Sequence, residues 1–260
     1  MDEILELKFE SVGFKKEFGF QLLEMKDVFS FKPAKKNPFV PHRIDFFAIL
    51  LLAEGEMTHE VDFVKYKMNE GDCLFIAKGQ IHKFDKSPTY KGYGLIFTEE
   101  FLLHHVSPSA FSKISFLYNY HLNPLLFKDF GDRDIFVRAL KRELSLNLGR
   151  IKADVAASML TVFLLKAQLH TSHPLKSYDG DYQQFMQFQR LVTSKYMHTR
   201  TARHYAIFLN MNYKQLNKLC VAFTKKTAKE YLNNYIVLEA KRRLATTNRP
   251  VKQIAFECGF

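Results

Sequence analysis

The chain of 260 residues has no tryptophan and only three cysteines, Cys73, Cys220 and Cys258. Their odd number and wide separation exclude a disulfide framework and do not match the spacing of a zinc site. We therefore expect three small, buried thiols in a reducing compartment. No apolar run is long enough for a transmembrane helix, and the acidic first residues do not resemble a signal peptide. These absences predict a cytoplasmic protein without a membrane partner.

Sequence motifs of catalysis are also missing. The chain contains no nucleophile elbow, no phosphate-binding loop and no pair of catalytic carboxylates. Asp129, Asp132 and Asp134 surround Gly131, a pattern typical of a turn followed by a helix start. The sequence therefore predicts no enzymatic activity and no cofactor.

Acidic residues are scarce in the last third of the chain. Residues 181–260 contain 14 Lys and Arg against 4 Asp and Glu, whereas residues 1–180 contain 24 and 23. Almost all of the formal net charge of +11 therefore lies in the C-terminal segment. A concentrated basic surface is typical of a polyanion-binding protein, usually one that binds nucleic acid. A basic surface that serves only solubility is the alternative.

Residues 1 to about 105 are predicted to form β-structure. Short apolar runs recur between turn signals, a spacing typical of a sandwich or a barrel. Helical periodicity follows, and the Pro, Gly, Ser and Asp residues of 171–181 indicate a linker. We therefore expect a domain over 1–170 and a helical domain over 182–260. The apolar runs lie at 46–55, 59–68, 72–79 and 91–98, and the helices before the linker at 133–147 and 153–169.

A six-residue pattern occurs twice in the helical domain, at 206–211 and 255–260. Each copy has an Ala, an apolar residue three positions later, then Asn210 or Gly259 and a further apolar residue. Ala lets a second helix approach closely, and Asn or Gly adopts the left-handed backbone of a tight turn. The pattern predicts the turn of a helix-turn-helix unit. The helices around the two turns are expected at 183–197, 200–208, 213–223, 228–245 and 251–258.

The helix predicted over 213–223 would be the recognition helix of the first unit. Its apolar residues recur at i, i+3, i+4 and i+7, which predicts one buried face. Asn212 precedes the helix as a suitable N-cap, because its side-chain oxygen can accept a free backbone N–H. The residues of the buried face are Leu216, Leu219, Cys220 and Phe223.

The opposite face of this helix is polar and basic. Asn side chains suit adenine, and Lys side chains suit guanine or a phosphate oxygen. Two further residues lie near helix starts, where backbone N–H groups favour phosphate. An ordinary solvated helix surface is the alternative. The candidate DNA contacts are Asn212, Tyr213, Lys214, Asn217, Lys218, Thr227 and Lys252.

The segment 206–260 resembles the DNA-binding domain of AraC/XylS-type bacterial transcription regulators. The resemblance lies in four blocks whose spacing needs no gaps, and it implies two helix-turn-helix units joined by a long helix. The recognition helices of such units enter successive major grooves. The blocks are Ala206-x-x-Leu209-Asn210-Met211-Asn212-x-x-x-Leu216, Lys226-Thr227-x-x-Glu230-Tyr231-Leu232, Glu239-Ala240-Lys241-Arg242-x-Leu244, and Val251-Lys252-x-Ile254-Ala255-x-x-x-Gly259-Phe260.

Three features depart from that family pattern. The family's usual Gly after the first recognition helix is Lys225, and an Arg common in the long helix is Ile236. The sequence given also stops where the resemblance would place the second recognition helix. We therefore expect an all-α double helix-turn-helix domain that lacks its second recognition helix.

The N-terminal half resembles the small cupin-like β-barrel that often precedes such a DNA-binding domain. Together the two resemblances predict an α+β protein, with a cupin-like barrel and flanking helices followed by the helical domain. The barrel would sense a small molecule or dimerise. The supporting residues are Pro41-His42-Arg43-x-Asp45-Phe46-Phe47, Glu54-Gly55 and Gly71-Asp72-x-x-x-Ile76-x-x-Gly79-x-x-His82.

Candidate ligand-binding residues in the barrel are His42, Arg43 and His82. Metal-binding cupins use a His-x-His pair, but Ile44 stands two residues after His42, so we expect no metal. His82 would close the barrel or contact a small ligand. The planar guanidinium of Arg43 suits a carboxylate, with an ordinary surface Arg as the alternative.

These features predict a sequence-specific transcription regulator that binds promoter DNA, most simply an activator that responds to a small-molecule effector. The helices over 133–147 and 153–169 would form a homodimer contact, as the family implies, and RNA polymerase is a further expected partner. Two alternatives remain. One is a cupin-fold ligand-binding or dimerisation module without effective DNA binding, and the other is a cupin enzyme.

Overall fold

The structure is a computed structural model of the chain that describes residues 6–12, 18–30, 37–85, 90–118, 120, 126–131, 133–171 and 180–259. The described residues form two compact units, one within 6–171 and one within 180–259. Most of the linker predicted over 171–181 lies outside the described residues. At its two ends Thr171 is buried and bonded to Gln168, and Gly180 and Asp181 begin a helix, so the linker between them stays a prediction.

The first unit is built on two sheets that have five strands each among the described residues. The strand order is β1-β3-β8-β5-β6 in the first sheet and β10-β7-β4-β9-β2 in the second. All pairs are antiparallel except β1 with β3. The strands are β1 Glu6–Leu7, β2 Phe20–Glu24, β3 His42–Ile44, β4 Phe47–Glu54, β5 Glu56–Val61, β6 Val64–Asn69, β7 Cys73–Ile76, β8 Ile81–Lys83, β9 Lys91–Phe97 and β10 Leu126–Phe127.

Strand β4 lies at the centre of the second sheet and is buried on both faces. Its alternate residues enter two separate cores, since successive side chains of a strand point to opposite faces. Phe47 and Ile49 pack towards the helices, whereas Ala48 and Leu50 pack with residues of the first sheet. Burial on both faces explains why the sequence over 46–55 is a continuous apolar run rather than an alternating one.

The segment 59–68, predicted as one strand, belongs to two strands of a hairpin. Val61 pairs with Val64, and the two residues between them have positive φ angles, 47° for Asp62 and 69° for Phe63. Two successive positive φ angles define the turn that suits the twist of a two-residue hairpin. The prediction missed it because Phe63 is not a typical turn residue, although the slip in alternation after Phe63 marked its position.

Helices cover the outer face of the second sheet. The predicted helices over 133–147 and 153–169 are present, each within about two residues of its expected ends. They pack Leu140, Leu160 and Phe163 onto Phe75 and its neighbours. The helices of this unit are α1 Met25–Ser30, α2 Glu99–His105, α3 Pro108–Lys113, α4 Arg133–Ser145 and α5 Lys152–Gln168.

The second unit is helical throughout its described residues. Two buried phenylalanines of its first helix, Phe185 and Phe188, contact aromatic rings from each of the next three helices. Phe188 lies 5.8 Å from Tyr205 and 5.4 Å from Tyr231, and Phe185 lies 5.1 Å from Phe223, all between ring centroids. The helices are α6 Gly180–Lys195, α7 Ala202–Phe208, α8 Tyr213–Thr224, α9 Ala228–Thr246 and α10 Val251–Glu257.

The turn between α7 and α8 has the predicted geometry. Asn210 adopts φ 53°, and the backbone N–H of Met211 donates to the carbonyl of Ala206 at 3.0 Å. Ala206 is buried at the point where the two helices approach each other. Gly259, in the second copy of the pattern, has φ 80°. Both left-handed positions expected from the sequence are therefore confirmed.

Lys225, which replaces the family's usual Gly, also has a left-handed backbone, with φ 58° and ψ 17°. It is the C-cap of α8. A residue with a Cβ atom is strained in this region, whereas Gly is not. The departure from the family pattern therefore retains the turn and adds strain.

We expect Lys225→Gly to increase the free energy of unfolding by about 1 kcal/mol, because Gly removes the left-handed strain. Chemical denaturation followed by far-UV circular dichroism measures the change. Asn210→Gly is the matched control and should gain less, since Asn already tolerates this backbone. A Lys225→Gly variant no more stable than the original chain would contradict the strain at this position.

Helix α9 carries a buried ion pair. The side chains of Glu239 and Arg242 are 3% and 2% exposed, and an Nη1 of Arg242 donates to the Glu239 carboxylate. Charges in such a position need each other, because a single buried charge is very costly. The pair belongs to the Glu-Ala-Lys-Arg block of the sequence, so that block serves the core of the unit.

Removing one partner of this pair should be far worse than removing both. Glu239→Ala should lower the free energy of unfolding by about 3–5 kcal/mol, because it leaves an uncompensated buried guanidinium. The double variant Glu239→Leu/Arg242→Met should lose clearly less. Exposed Lys241→Ala is the control on the same helix and should change stability by about 0.5 kcal/mol or less. Equal losses in the single and double variants would show that the pairing does not matter.

Candidate nucleic-acid interface and ligand site

Helix α8 separates an apolar face from a basic face, as predicted. Leu216, Leu219 and Cys220 are buried. Lys214 and Lys218 are exposed on the opposite side. They lie one turn apart, so both ammonium groups can approach the same polyanion surface. Tyr213 is half-buried at the start of the helix.

Asn212 closes the N-terminus of α8. Its side-chain oxygen accepts from the backbone N–H of Gln215 at 2.9 Å, and the Gln215 side chain accepts from the backbone N–H of Asn212 at 2.8 Å. This reciprocal pair is a capping box. It confirms Asn212 as the N-cap and shows that its side-chain oxygen is engaged within the protein.

Asn217 differs from the two lysines beside it. It is half-buried, and its side-chain oxygen accepts from the backbone N–H of Ala228 at 2.9 Å. Ala228 is the first residue of α9 and is fully buried. Asn217 was expected on the outward face beside the lysines. Its side-chain oxygen instead points to the start of α9, because the Ala228 N–H needs an acceptor.

Thr227, the N-cap of α9, is also bonded within the chain. Its backbone N–H and hydroxyl donate to a Glu230 carboxylate oxygen at 2.7 and 2.8 Å, and its hydroxyl accepts from the Glu230 N–H. The backbone and side-chain bonds from Thr227 lower the pKa of Glu230. A carboxylate thus occupies the helix start at which the sequence predicts a phosphate contact.

Lys252 is exposed in the first turn of α10. This helix is held to the preceding segment by Glu257, whose two carboxylate oxygens pair with Arg243 and Arg249, each at 2.7 Å. Arg200 donates to the carbonyl oxygen of Gly259 at 2.7 Å. These arginines fix α10, so their charges serve the fold while Lys252 remains at the surface.

The acidic residues of this unit pair with only some of its positive side chains, which determines where the excess positive charge lies. Glu230, Glu239 and Glu257 all bond groups of the same unit. Their partners among the cationic side chains are arginines. The basic charge presented to solvent therefore comes from exposed lysines and from three exposed arginines. They are Lys214, Lys218, Lys225, Lys226, Lys229, Lys241 and Lys252, together with Arg190, Arg200 and Arg203.

Three histidines meet in the core between the two sheets of the first unit. His42 and His82 are directly opposed on β3 and β8, with ring centroids 4.3 Å apart. His59, on β5, lies 3.0 Å from His82 between Nε2 and Nδ1. His59 was not among the ligand residues predicted from the sequence, although its alternation with buried Met57 and Val61 marks an inward position.

These histidines form the histidine cluster, which is held neutral. Burial, reinforced by His42, lowers the pKa of His59 to about 3. Burial also lowers the pKa of His82 well below its usual value, and that of His42, whose Nδ1 bonds the Val40 carbonyl. Neutral imidazoles donate one hydrogen bond and accept one, so the cluster suits a neutral polar partner better than an anion.

Two buried polar atoms near the histidine cluster have no hydrogen-bond partner among the residues that the structure describes. They are Nδ1 of His59 and the hydroxyl of Tyr90. The two residues are linked through aromatic contacts, since Phe84 lies 4.6 Å from His59 and Phe29 contacts both Phe84 and Tyr90. Unpaired buried polar atoms are rare and favour a ligand or water nearby.

Arg43 does not join the histidine cluster. It is half-buried and lies between His42 and Ile44 on β3, whose side chains are buried. Because neighbouring residues of a strand point to opposite faces, the Arg43 side chain lies on the side away from the histidines. The structure thus brings together His42 and His82 but separates the third predicted ligand residue from them.

Within the part of the chain that the structure describes, no group of three or more His, Cys, Asp or Glu side chains is arranged to hold a metal ion. None of the described helices is long and apolar enough to cross a membrane. Cys73, Cys220 and Cys258 are buried free thiols, which confirms the expectation that all three are buried.

Comparison with known protein families identifies both units. An AraC-like ligand-binding domain matches residues 32–110, and a helix-turn-helix domain matches residues 205–260. The chain therefore belongs to the AraC-type transcription regulators, which combine a DNA-binding and a ligand-binding domain. No curated protein sequence matches the chain significantly.

Solved structures of similar proteins include two of ToxT from Vibrio cholerae. ToxT of strain O395 is 15% identical, with a TM-score of 0.47 over 95% of this chain and 89% of that one. Fatty-acid-bound ToxT of strain SCE256 is 15% identical, with a TM-score of 0.43 over 85% and 81%. The AraC-like activator CuxR is 12% identical, with a TM-score of 0.30 over 92% and 78%.

The buried histidines predict that acid destabilises the first unit. In the unfolded chain a histidine titrates near pH 6.5, whereas His59 in the fold remains neutral to a pH of about 3. The stability from the neutral cluster is therefore fully present above about pH 6.5 and is lost as the pH falls towards 3. Urea unfolding followed by circular dichroism between pH 7.5 and 4 measures this loss.

His59→Phe should make the dependence of stability on pH shallower, because one group that must charge on unfolding is gone. Exposed His104→Gln is the control and should retain the original slope. The same slope in His59→Phe and the original chain would contradict a neutral, buried His59.

Proposed function

We propose that this protein is a sequence-specific transcription regulator whose helix α8 binds in the major groove of promoter DNA. The observation that carries the proposal is the exposed pair Lys214 and Lys218 on a recognition helix whose other face is buried. A helix of this kind fits the major groove, where lysines reach guanine edges and phosphates. Lys252, in the first turn of α10, is a further proposed phosphate contact.

Three of the DNA contacts predicted from the sequence have a different role in this proposal. Asn212 and Thr227 act mainly as N-caps, since their side chains already bond Gln215 and Glu230. Tyr213 is half-buried at the first helical position and is proposed as a contact at the edge of the interface. The interface therefore relies on lysines, with caps that fix the helix presenting them.

For the first unit we propose a small-molecule effector that contacts the histidine cluster. His42 and His82 supply neutral imidazoles, and His59 and Tyr90 each offer a buried polar atom without a partner. This chemistry favours a neutral ligand with hydrogen-bonding groups and a planar or apolar body that packs on Phe84. Arg43, on the other side of β3, would recognise a charged group only outside this cluster.

Helix α5 supports the proposed homodimer. Val162 and the C-cap Leu169 lie seven residues apart on the same side of the helix and are 56% and 69% exposed. An exposed apolar stripe on a helix favours a protein partner, and we propose a second copy of the chain. Activation, contact with RNA polymerase and a cytoplasmic location complete the proposal, as expected for a regulator that binds a promoter.

Selection from duplexes with a randomised central segment tests DNA binding directly. The full chain should enrich one motif, and Lys214→Ala and Lys218→Ala should bind the enriched duplex more weakly. Each lost phosphate contact should reduce the slope of log affinity against log salt by about 0.9. Fluorescence anisotropy at several salt concentrations measures both quantities.

Lys65→Ala is the matched control, since it removes one exposed lysine from the first unit and should leave affinity and slope unchanged. Binding without any enriched motif, weakened equally by all three substitutions, would contradict sequence-specific recognition. It would instead favour a general electrostatic contact.

A further inference from the structure

We propose that Asn217 is a positioning residue that fixes the recognition helix α8 to the start of α9, and that base readout is left to Lys214 and Lys218. The inference rests on the proposed DNA-binding function. It replaces the expectation that Asn217 recognises adenine.

A hydrogen bond joins α8 to the start of α9. The side-chain oxygen of Asn217, in the second turn of α8, accepts from the backbone N–H of Ala228 at 2.9 Å. Ala228 begins α9, and the first N–H groups of a helix have no partner within that helix. Because Ala228 is fully buried, water cannot replace Asn217 as the acceptor. The contact joins residues 11 positions apart, so it is a tertiary bond between the two elements.

This bond restricts what Asn217 can offer to DNA. Recognition of adenine by Asn is bidentate and uses the amide oxygen and the amide N–H₂ together. In this structure the oxygen is directed at a backbone N–H, which can only donate. Turning the amide towards a base would leave the Ala228 N–H unpaired in a buried position, an unfavourable exchange.

Other bonds at the same corner give it a fixed geometry. The Thr224 hydroxyl donates to the Cys220 carbonyl at 2.7 Å and accepts from the Lys226 N–H at 3.2 Å. Thr227 and Glu230 close the start of α9. Asn217 lies in α8 between the exposed lysines Lys214 and Lys218. Its bond to Ala228 therefore sets the orientation of the lysine-bearing face of α8 relative to α9.

Three variants of the full chain test the inference: Asn217→Ala, Asn217→Asp, and Lys218→Ala as an exposed neighbour on the same helix. Asn217→Ala should raise the unfolding equilibrium constant about fivefold, the typical effect of losing a helix cap. Asn217→Asp retains an acceptor for Ala228 and places negative charge near a helix N-terminus. It should therefore be at least as stable as the original chain, and Lys218→Ala should be unchanged.

Selection from randomised duplexes measures base preference, which should not change if Asn217 only positions α8. A positioning residue predicts that Asn217→Ala and Asn217→Asp enrich the same bases as the original chain. Both should bind more weakly, Asn217→Asp because its carboxylate lies beside Lys214 and Lys218 and repels phosphate. A base-reading residue predicts that Asn217→Asp changes the preferred base at one position, since a carboxylate accepts from cytosine and cannot donate to adenine.

Unchanged stability of Asn217→Ala, or a changed base preference in Asn217→Asp, would overturn the proposal. If the original chain enriches no motif, the proposed DNA-binding function fails. The inference for α8 and α9 is then decided by the stability of Asn217→Ala against Asn217→Asp. The two failures are therefore distinguishable.

Discussion

The DNA-binding unit depends on one constraint, the burial of a single face of α8. Leu216, Leu219 and Cys220 are buried, and the helix packs against α6. Because residues three and four apart share a face, this burial leaves Lys214 and Lys218 in solvent. Rotating α8 to bring the lysines inward would bury unpaired charges and expose apolar groups, both of which are unfavourable. The orientation of the basic surface thus follows from the apolar core rather than from DNA.

The placement of charges follows the same division between core and surface. Arg242, Arg243 and Arg249 bond carboxylates of their own unit, because a planar guanidinium can satisfy several acceptors in a partly buried site. Lysine is a strongly hydrated point charge and suits a surface that approaches phosphates. The number of positive residues in the sequence therefore indicated the correct segment, but it did not distinguish these three arginines from the lysines and arginines that are exposed at the surface.

Local signals in the sequence were sufficient for most of the helices and for both turns. Asn210 and Gly259 reveal left-handed positions because few residues tolerate them, and the caps at Asn212 and Thr227 depend on residues three positions away. The errors concern contacts between distant residues. His59 meets His82 across 23 positions, and Asn217 meets Ala228 across 11. Helical periodicity gives the direction of a side chain, but it does not reveal which neighbouring group needs its hydrogen bond.

The corner between α8 and α9 also bears on regulation. The start of α9 is already capped there by the chain's own side chains, Asn217 and Thr227. A ligand can shift a conformational equilibrium only if it binds two states with different affinity, and opening this corner would leave the buried Ala228 N–H without its acceptor. The geometry of this corner is therefore set by bonds within the DNA-binding unit itself.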